Sequence, residues 1–169
     1  MSDADGSPLL AIHRQYQNVP GECKPLDVVS AELLERVPKR NQTENRRVKA
    51  DTMHKLGTMS IDDVLQLHAP ENHAYIFGND SPSLSAEEMH QYNFNYSLML
   101  VNVKALHLHS GKADFTYNGH HYCDMSITDP DYTFSAGLGN AYLVVSMAIN
   151  PDRRSGRYHK FIAKIFPHR

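Results

Sequence analysis

Ala113-Asp114-Phe115-Thr116-Tyr117-Asn118-Gly119-His120-His121-Tyr122-Cys123-Asp124-Met125 is the stretch that decides the fold of this chain. Two alternating runs flank Asn118-Gly119. Asn-Gly between such runs specifies a tight β-hairpin, because both central residues of the favoured turn need positive φ. A two-residue turn sets Tyr117 opposite His120, Phe115 opposite Tyr122 and Ala113 opposite Asp124. Side chains alternate across a strand, so one face of the ribbon carries Phe115, Tyr117 and Tyr122. The other carries Asp114, Thr116, His121, Cys123 and Met125. A ring-bearing face of this kind serves either as core or as a platform on which bases stack.

The period of two continues outward. Tyr96 to His109 reads as a long strand with a bend near Lys104, and Ser110-Gly111-Lys112 turns the chain. Thr128-Asp129-Pro130-Asp131 stops the second hairpin arm, since proline cannot donate to a ladder. Gly137-Leu138-Gly139-Asn140 reads as a loop, Ala141 to Ile149 as an apolar strand, and Asn150 to Gly156 as a turn. Tyr158 to Phe166 returns antiparallel.

The first half is less regular. Ser60-Ile61-Asp62-Asp63 and Ser85-Ala86-Glu87-Glu88 are capping boxes that open two short helices. Ile61, Val64, Leu65 and His68 share one face of the first helix, and Pro70 ends it. Leu26 to Val37 suits a helix or a strand equally. Arg46 to Ala50 reads as a short strand with Val48 inward. The expected class is mainly β with a few short helices (α+β). It has an N-terminal arm over residues 1–24, an irregular region with helices over 25–92 and an antiparallel β domain over 93–169.

Composition excludes several classes. The 169 residues carry a net charge of −2 with 41% hydrophobic content, which does not suit a protein whose affinity comes from coating phosphates. No apolar run approaches a membrane span. Cys23 and Cys123 lack metal-like spacing and read as free thiols. The acidic N-terminus shows no secretory h-region, so the expected location is the cytoplasm. Charge is nonetheless uneven. Residues 35–50 hold Arg36, Lys39, Arg40, Arg46, Arg47 and Lys49, and residues 151–169 hold Arg153, Arg154, Arg157, Lys160, Lys164 and Arg169. These segments are either solvated surface or a phosphate-binding face.

Histidine is abundant, with 11 residues. His107 and His109 share a strand face, and with His121 they form a weak candidate set for a metal. His-Glu-x-x-His and paired-cysteine patterns are absent. Gly-x-Ser-x-Gly and phosphate-loop motifs are also missing. Cys123 lies two residues from His121, but strand cysteines are usually inert. No catalytic residue and no cofactor is assigned.

The run Ala113 to Tyr122, followed by Met125-Ser126-Ile127-Thr128-Asp129-Pro130, resembles the signature of bacterial dual OB-containing domain proteins. Val145-Ser146-Met147 and Tyr158-His159-Lys160-Phe161-Ile162-Ala163 are similar to the family's closing strands. Upstream, Pro25-Leu26-Asp27-Val28-Val29 and Pro38 through Thr43-Glu44-Asn45-Arg46 are similar to its first half. The family's Gly-x-Cys-x-Ala-Gly and Trp-Ile-Arg-Pro motifs are absent. The resemblance therefore implies an OB-like antiparallel barrel in the C-terminal half and a partial OB-like or irregular N-terminal half. It carries no established catalytic residues, and OB surfaces commonly bind oligonucleotides or oligosaccharides.

Three functions compete. The first is a non-enzymatic module for single-stranded nucleic acid or nucleotides, an accessory in a mobile-element or defence setting. Arg46, Arg47, Arg153, Arg154, Arg157 and Lys160 would contact phosphates, while Phe115, Tyr117 and Tyr122 would stack on bases. The second is a protein-interaction or assembly subunit, which would pair or self-associate through exposed strand edges. The third is a histidine-metal hydrolase centred on His107, His109 and His121.

Overall fold

The computed structural model describes residues 23–38, 42–49, 52–132 and 134–168. The arm expected over residues 1–24 lies almost wholly outside them, as do Lys39, Arg40 and Arg169. The chain divides into two compact units, residues 1–69 and 70–169.

Among the described residues of the first unit, β1 (Asp27–Ser30) pairs antiparallel with β4 (His54–Thr58). β2 (Leu33–Arg36) pairs with β3 (Arg46–Val48). The ambiguous Leu26–Val37 segment is thus two strands, with partners supplied by residues far along the chain. A capping box on Ser60 opens α1 (Ile61–Leu67): its hydroxyl accepts from Asp63 N while Asp63 accepts from Ser60 N. Ile61, Val64, Leu65 and His68 are half-buried, whereas Leu67 is 78% exposed.

The second unit is a barrel of β6 (Leu98–His109), β7 (Lys112–Tyr117), β8 (His120–Ile127), β9 (Ala136–Met147) and β10 (Tyr158–Pro167). Strands β6, β7 and β8 form an antiparallel meander. β8 runs parallel to β10, β10 pairs with β9, and β9 returns to β6. In barrel order this is 1-2-3-5-4-1, the closure of an OB-like fold. Closure gives every barrel strand a neighbour on each side.

Each turn and bend has a local cause. Ser110-Gly111 and Asn118-Gly119 all have positive φ, as two-residue hairpins require. Tyr117 faces His120 and Phe115 faces Tyr122, but Ala113 faces Met125 rather than Asp124. A bulge accounts for the slip: Asp124 sits at φ 56, and Asp124 N donates to Asp114 Oδ1 at 2.8 Å. The extra residue flips parity, so Met125 points into the core instead of outward. Ala105, at φ 53, bends β6 where Lys104 and Ala105 are exposed in succession. Gly137 to Asn140 is strand, not loop, because β6 pairs with it (His107 with Gly137, Leu106 with Gly139).

The core lies inside the barrel. Met99, Val101, Val103, Leu106, Leu108, Phe115, Tyr122, Met125, Leu143, Val145, Ile162 and Ile165 are almost wholly buried. Phe115 and Tyr122 stack with centroids 5.1 Å apart and planes at 8°. Truncating such a ring costs about 3–5 kcal/mol.

Residues 71–97 pack across one end of the barrel. Ile76 and Phe77, in a 3-10 turn over Ile76–Gly78, are fully buried. β5 (Ser83–Leu84) pairs with the start of β10, next to the stretch that β8 occupies. α2 (Ala86–Tyr92) follows from the Ser85 capping box. Barrel side chains hold this strap down. Tyr122 Oη accepts from Ile76 N at 2.9 Å and donates to Asn79 O at 3.2 Å. Tyr117 Oη donates to Glu71 O at 2.9 Å, and Glu71 Oε2 accepts from Leu100 N at 2.7 Å.

A candidate nucleic-acid interface on the closed end of the barrel

Four residues expected at a ligand surface are interior. Phe115, Tyr117 and Tyr122 form the core face of the hairpin, and Lys160 is 1% exposed. The Lys160 Nζ donates to Ile76 O at 2.6 Å and to Asn79 O and Oδ1 at 2.7 Å. Burial lowers its pKa to about 7, against the pull of Asp80 and Glu88. It fastens the strap to the barrel and cannot reach a phosphate. The same solvent exclusion pushes the Tyr122 phenol up to about 12.

Of the expected arginines, Arg46 and Arg47 lie on β3 of the first unit. Arg47 Nε is 2.9 Å from Glu35 Oε1, and Arg46 is also engaged. Exposed pairs of this kind contribute little to stability, but they lower the local positive potential.

Arg153, Arg154 and Arg157 belong to the turn between β9 and β10. Asp152 builds that turn: its Oδ1 accepts from Arg154 N (3.1 Å), Ser155 N (2.8 Å) and Ser155 Oγ (2.9 Å). Those donors, the Ser155 N–H first, hold the Asp152 carboxyl below its usual range. Gly156 takes φ 66 to complete the turn. Arg153 and Arg154 are exposed. Arg157 instead ties the turn to the strap. Its Nε donates to Ser83 Oγ at 2.7 Å, and its Nη2 donates to Ser83 O at 3.1 Å and lies 3.6 Å from Glu88 Oε2.

Residues 92–96, which sequence reading passed over, lie between Glu88, 3.6 Å from Arg157, and Ser97, whose carbonyl accepts from Met147 N at 2.9 Å. Tyr92, Phe94 and Tyr96 are successive rings, 5.6 Å between neighbouring centroids, and His73 stacks on Tyr96 at 6.1 Å. Phe94 and Tyr96 both pack on buried Phe77. Tyr92 ends α2 and remains 39% exposed. The signal was present as Tyr92-Asn93-Phe94-Asn95-Tyr96, an aromatic at every second position.

The histidines do not converge. His107 and His109 stack at 5.9 Å, and His109 Nε2 stands 3.1 Å from Asp114 Oδ1. His121 faces Thr116 across the hairpin. Among the described residues no three metal-ligating side chains come together, so the His107, His109 and His121 set does not assemble. Cys123 is exposed on the outside of β8.

The Thr128-Asp129-Pro130 motif has a structural role. Asp129 is 2% exposed, and its carboxylate accepts from Ile165 N (2.9 Å), Asp131 N (3.2 Å) and Lys164 Nζ (3.0 Å). It serves the backbone where β10 slips register. No helix among the described residues is long and apolar enough to cross a membrane.

The model of the dual OB-containing domain matches residues 1–165, and the chain belongs to that family. No curated protein and no solved structure matches it.

Proposed function

We propose that this dual OB-containing domain protein is a non-enzymatic binding module for single-stranded nucleic acid, acting through the closed end of its C-terminal barrel. The observation that carries the reading is the exposed Arg153-Arg154 pair on the connection between the fourth and fifth barrel strands. That connection is one of the two loops through which OB barrels grip oligonucleotides. Both side chains are exposed, and the carboxylate of Asp152 in the same turn is taken up by the turn's own N–H and O–H donors. The hydrogen bonds around Asp152 preform the turn, so little ordering entropy is lost on binding.

The test is salt dependence. Single-strand affinity falls with a log–log slope of about 0.7 per neutralised phosphate. Replacing Arg153 and Arg154 by alanine should weaken binding and flatten that slope by about 1.4. Binding that ignores ionic strength, or a double variant with the wild-type slope, would overturn the reading. A second reading, assembly with another protein, draws on Leu56, which is 62% exposed on β4 of the first unit. A concentration-dependent dimer with no nucleic-acid shift would favour it.

A further inference from the structure

We propose that Tyr92 and His73, the two ends of the ring ladder on the strap, stack on bases while Arg153 and Arg154 hold the phosphates of the same strand. This rests on the reading above and replaces the stacking surface that Phe115, Tyr117 and Tyr122 cannot supply from the core.

Three observations support the proposal. First, the ladder is continuous: Tyr92, Phe94, Tyr96 and His73 succeed one another at 5.6–6.1 Å. Second, it is held rigid. Its middle rings pack on fully buried Phe77. The Tyr92 ring lies so close over Gly78 that a Cβ there would stand 2.6 Å from it. Asn93, in the left-handed conformation at φ 43, caps α2 and turns the chain from Tyr92 toward Phe94. Third, the arginine turn is joined to the segment on both sides. Arg157 reaches Glu88 on α2, ahead of the rings, and Met147 N donates to Ser97 O at 2.9 Å just after them.

Charge and chemistry select the occupant. Solvent-facing rings on a segment joined to an exposed arginine turn match a strand that offers anionic phosphates and flat bases together. Proteins that bind single strands without strong sequence preference combine a basic track with aromatic stacking. The outer rings carry the contact; Phe94 and Tyr96 are largely committed to Phe77 and position them.

The experiment measures fluorescence anisotropy with two fluorescein-labelled strands of roughly 12 nucleotides, within the span of one OB barrel. One is oligothymidine and the other an abasic strand with the same backbone. The variants are Tyr92→Leu, which keeps an apolar group over Gly78, and His73→Ala at an exposed position. Circular dichroism verifies that both fold. Wild type should bind oligothymidine more tightly than the abasic strand. Each variant should lose about tenfold for oligothymidine, within the range of one stacked base, and bind the abasic strand as wild type does. Equal wild-type affinity for the two strands would overturn the ladder and leave the arginine turn standing. Folded variants with wild-type affinity for oligothymidine would do the same. Failure of wild type to bind either strand would overturn both proposals.

Discussion

Replacing Lys160 with methionine tests how the strap is fastened. In the folded chain the ammonium is buried against Ile76 and Asn79 and its pKa falls from 10.5 to about 7. In the unfolded chain it titrates normally. Between those values the unfolded chain binds more protons than the folded one, so wild-type stability rises with pH across that window. From pH 7 to about 9.5 the rise is about 3 kcal/mol at 1.36 kcal/mol per unit. That figure is a ceiling, because the three oxygen acceptors favour the charged form. Tyr122 acts in the opposite sense at higher pH. Its pKa is raised to about 12, so the unfolded chain loses its phenolic proton first and stability falls above about pH 10. Methionine removes the desolvated charge. Asn79 O keeps Tyr122 and Asn79 Oδ1 keeps Ser81 N, while Ile76 O loses the Lys160 donor. An orphaned buried acceptor costs about 1–3 kcal/mol. Near pH 6.5 the two effects oppose and the proteins should unfold at similar urea concentrations. By about pH 9.5 wild type should lead by roughly 2–3 kcal/mol. A wild-type-to-variant gap that stays constant from pH 6.5 to 9.5 would refute the reasoning.

Other perturbations probe the same architecture. Asp129→Ala strands the buried Ile165 N–H and frees one side of Lys164, so urea unfolding should show a loss of roughly 2–4 kcal/mol. Gly78→Ala places a Cβ against the Tyr92 ring at φ +81. It should lower the melting free energy by about 1–3 kcal/mol and diminish the near-ultraviolet aromatic dichroism as Tyr92 is displaced. Tyr122→Phe leaves the ring stacked on Phe115 but removes the hydroxyl that bridges Ile76 N and Asn79 O. A cost of about 1–3 kcal/mol is expected, with faster amide exchange over residues 76–79 than in the barrel strands.

Much of the fold is local and therefore legible in the chain. Asn118-Gly119 specifies its hairpin because few residues tolerate positive φ at both central positions. Ser60 and Ser85 open their helices because each hydroxyl meets an N–H three residues on. The bend near Lys104 is the bulge at Ala105. Misreadings fall where a distant partner decides. Gly137-Leu138-Gly139-Asn140 has poor strand propensity, and β6 recruits it all the same. The slip at Asp124 turns on a hydrogen bond to Asp114 across the hairpin, and it reverses Met125.

The candidate site divides in the same way. Arg153 and Arg154 were legible as an exposed basic turn, since their conformation depends on Asp152 beside them. The rings were not. Alternation alone places Phe115, Tyr117 and Tyr122 on one side of a ribbon without saying whether that side meets water. Barrel closure turned it inward and buried Lys160 with it. The strap, pinned by those buried side chains, carries Tyr92 and His73 at the surface. The amino-acid sequence by itself determined the hairpin turns, the helix starts and the family resemblance. Tertiary structure decided which aromatic rings face solvent, because inside and outside are set by non-local pairing that residue spacing does not encode.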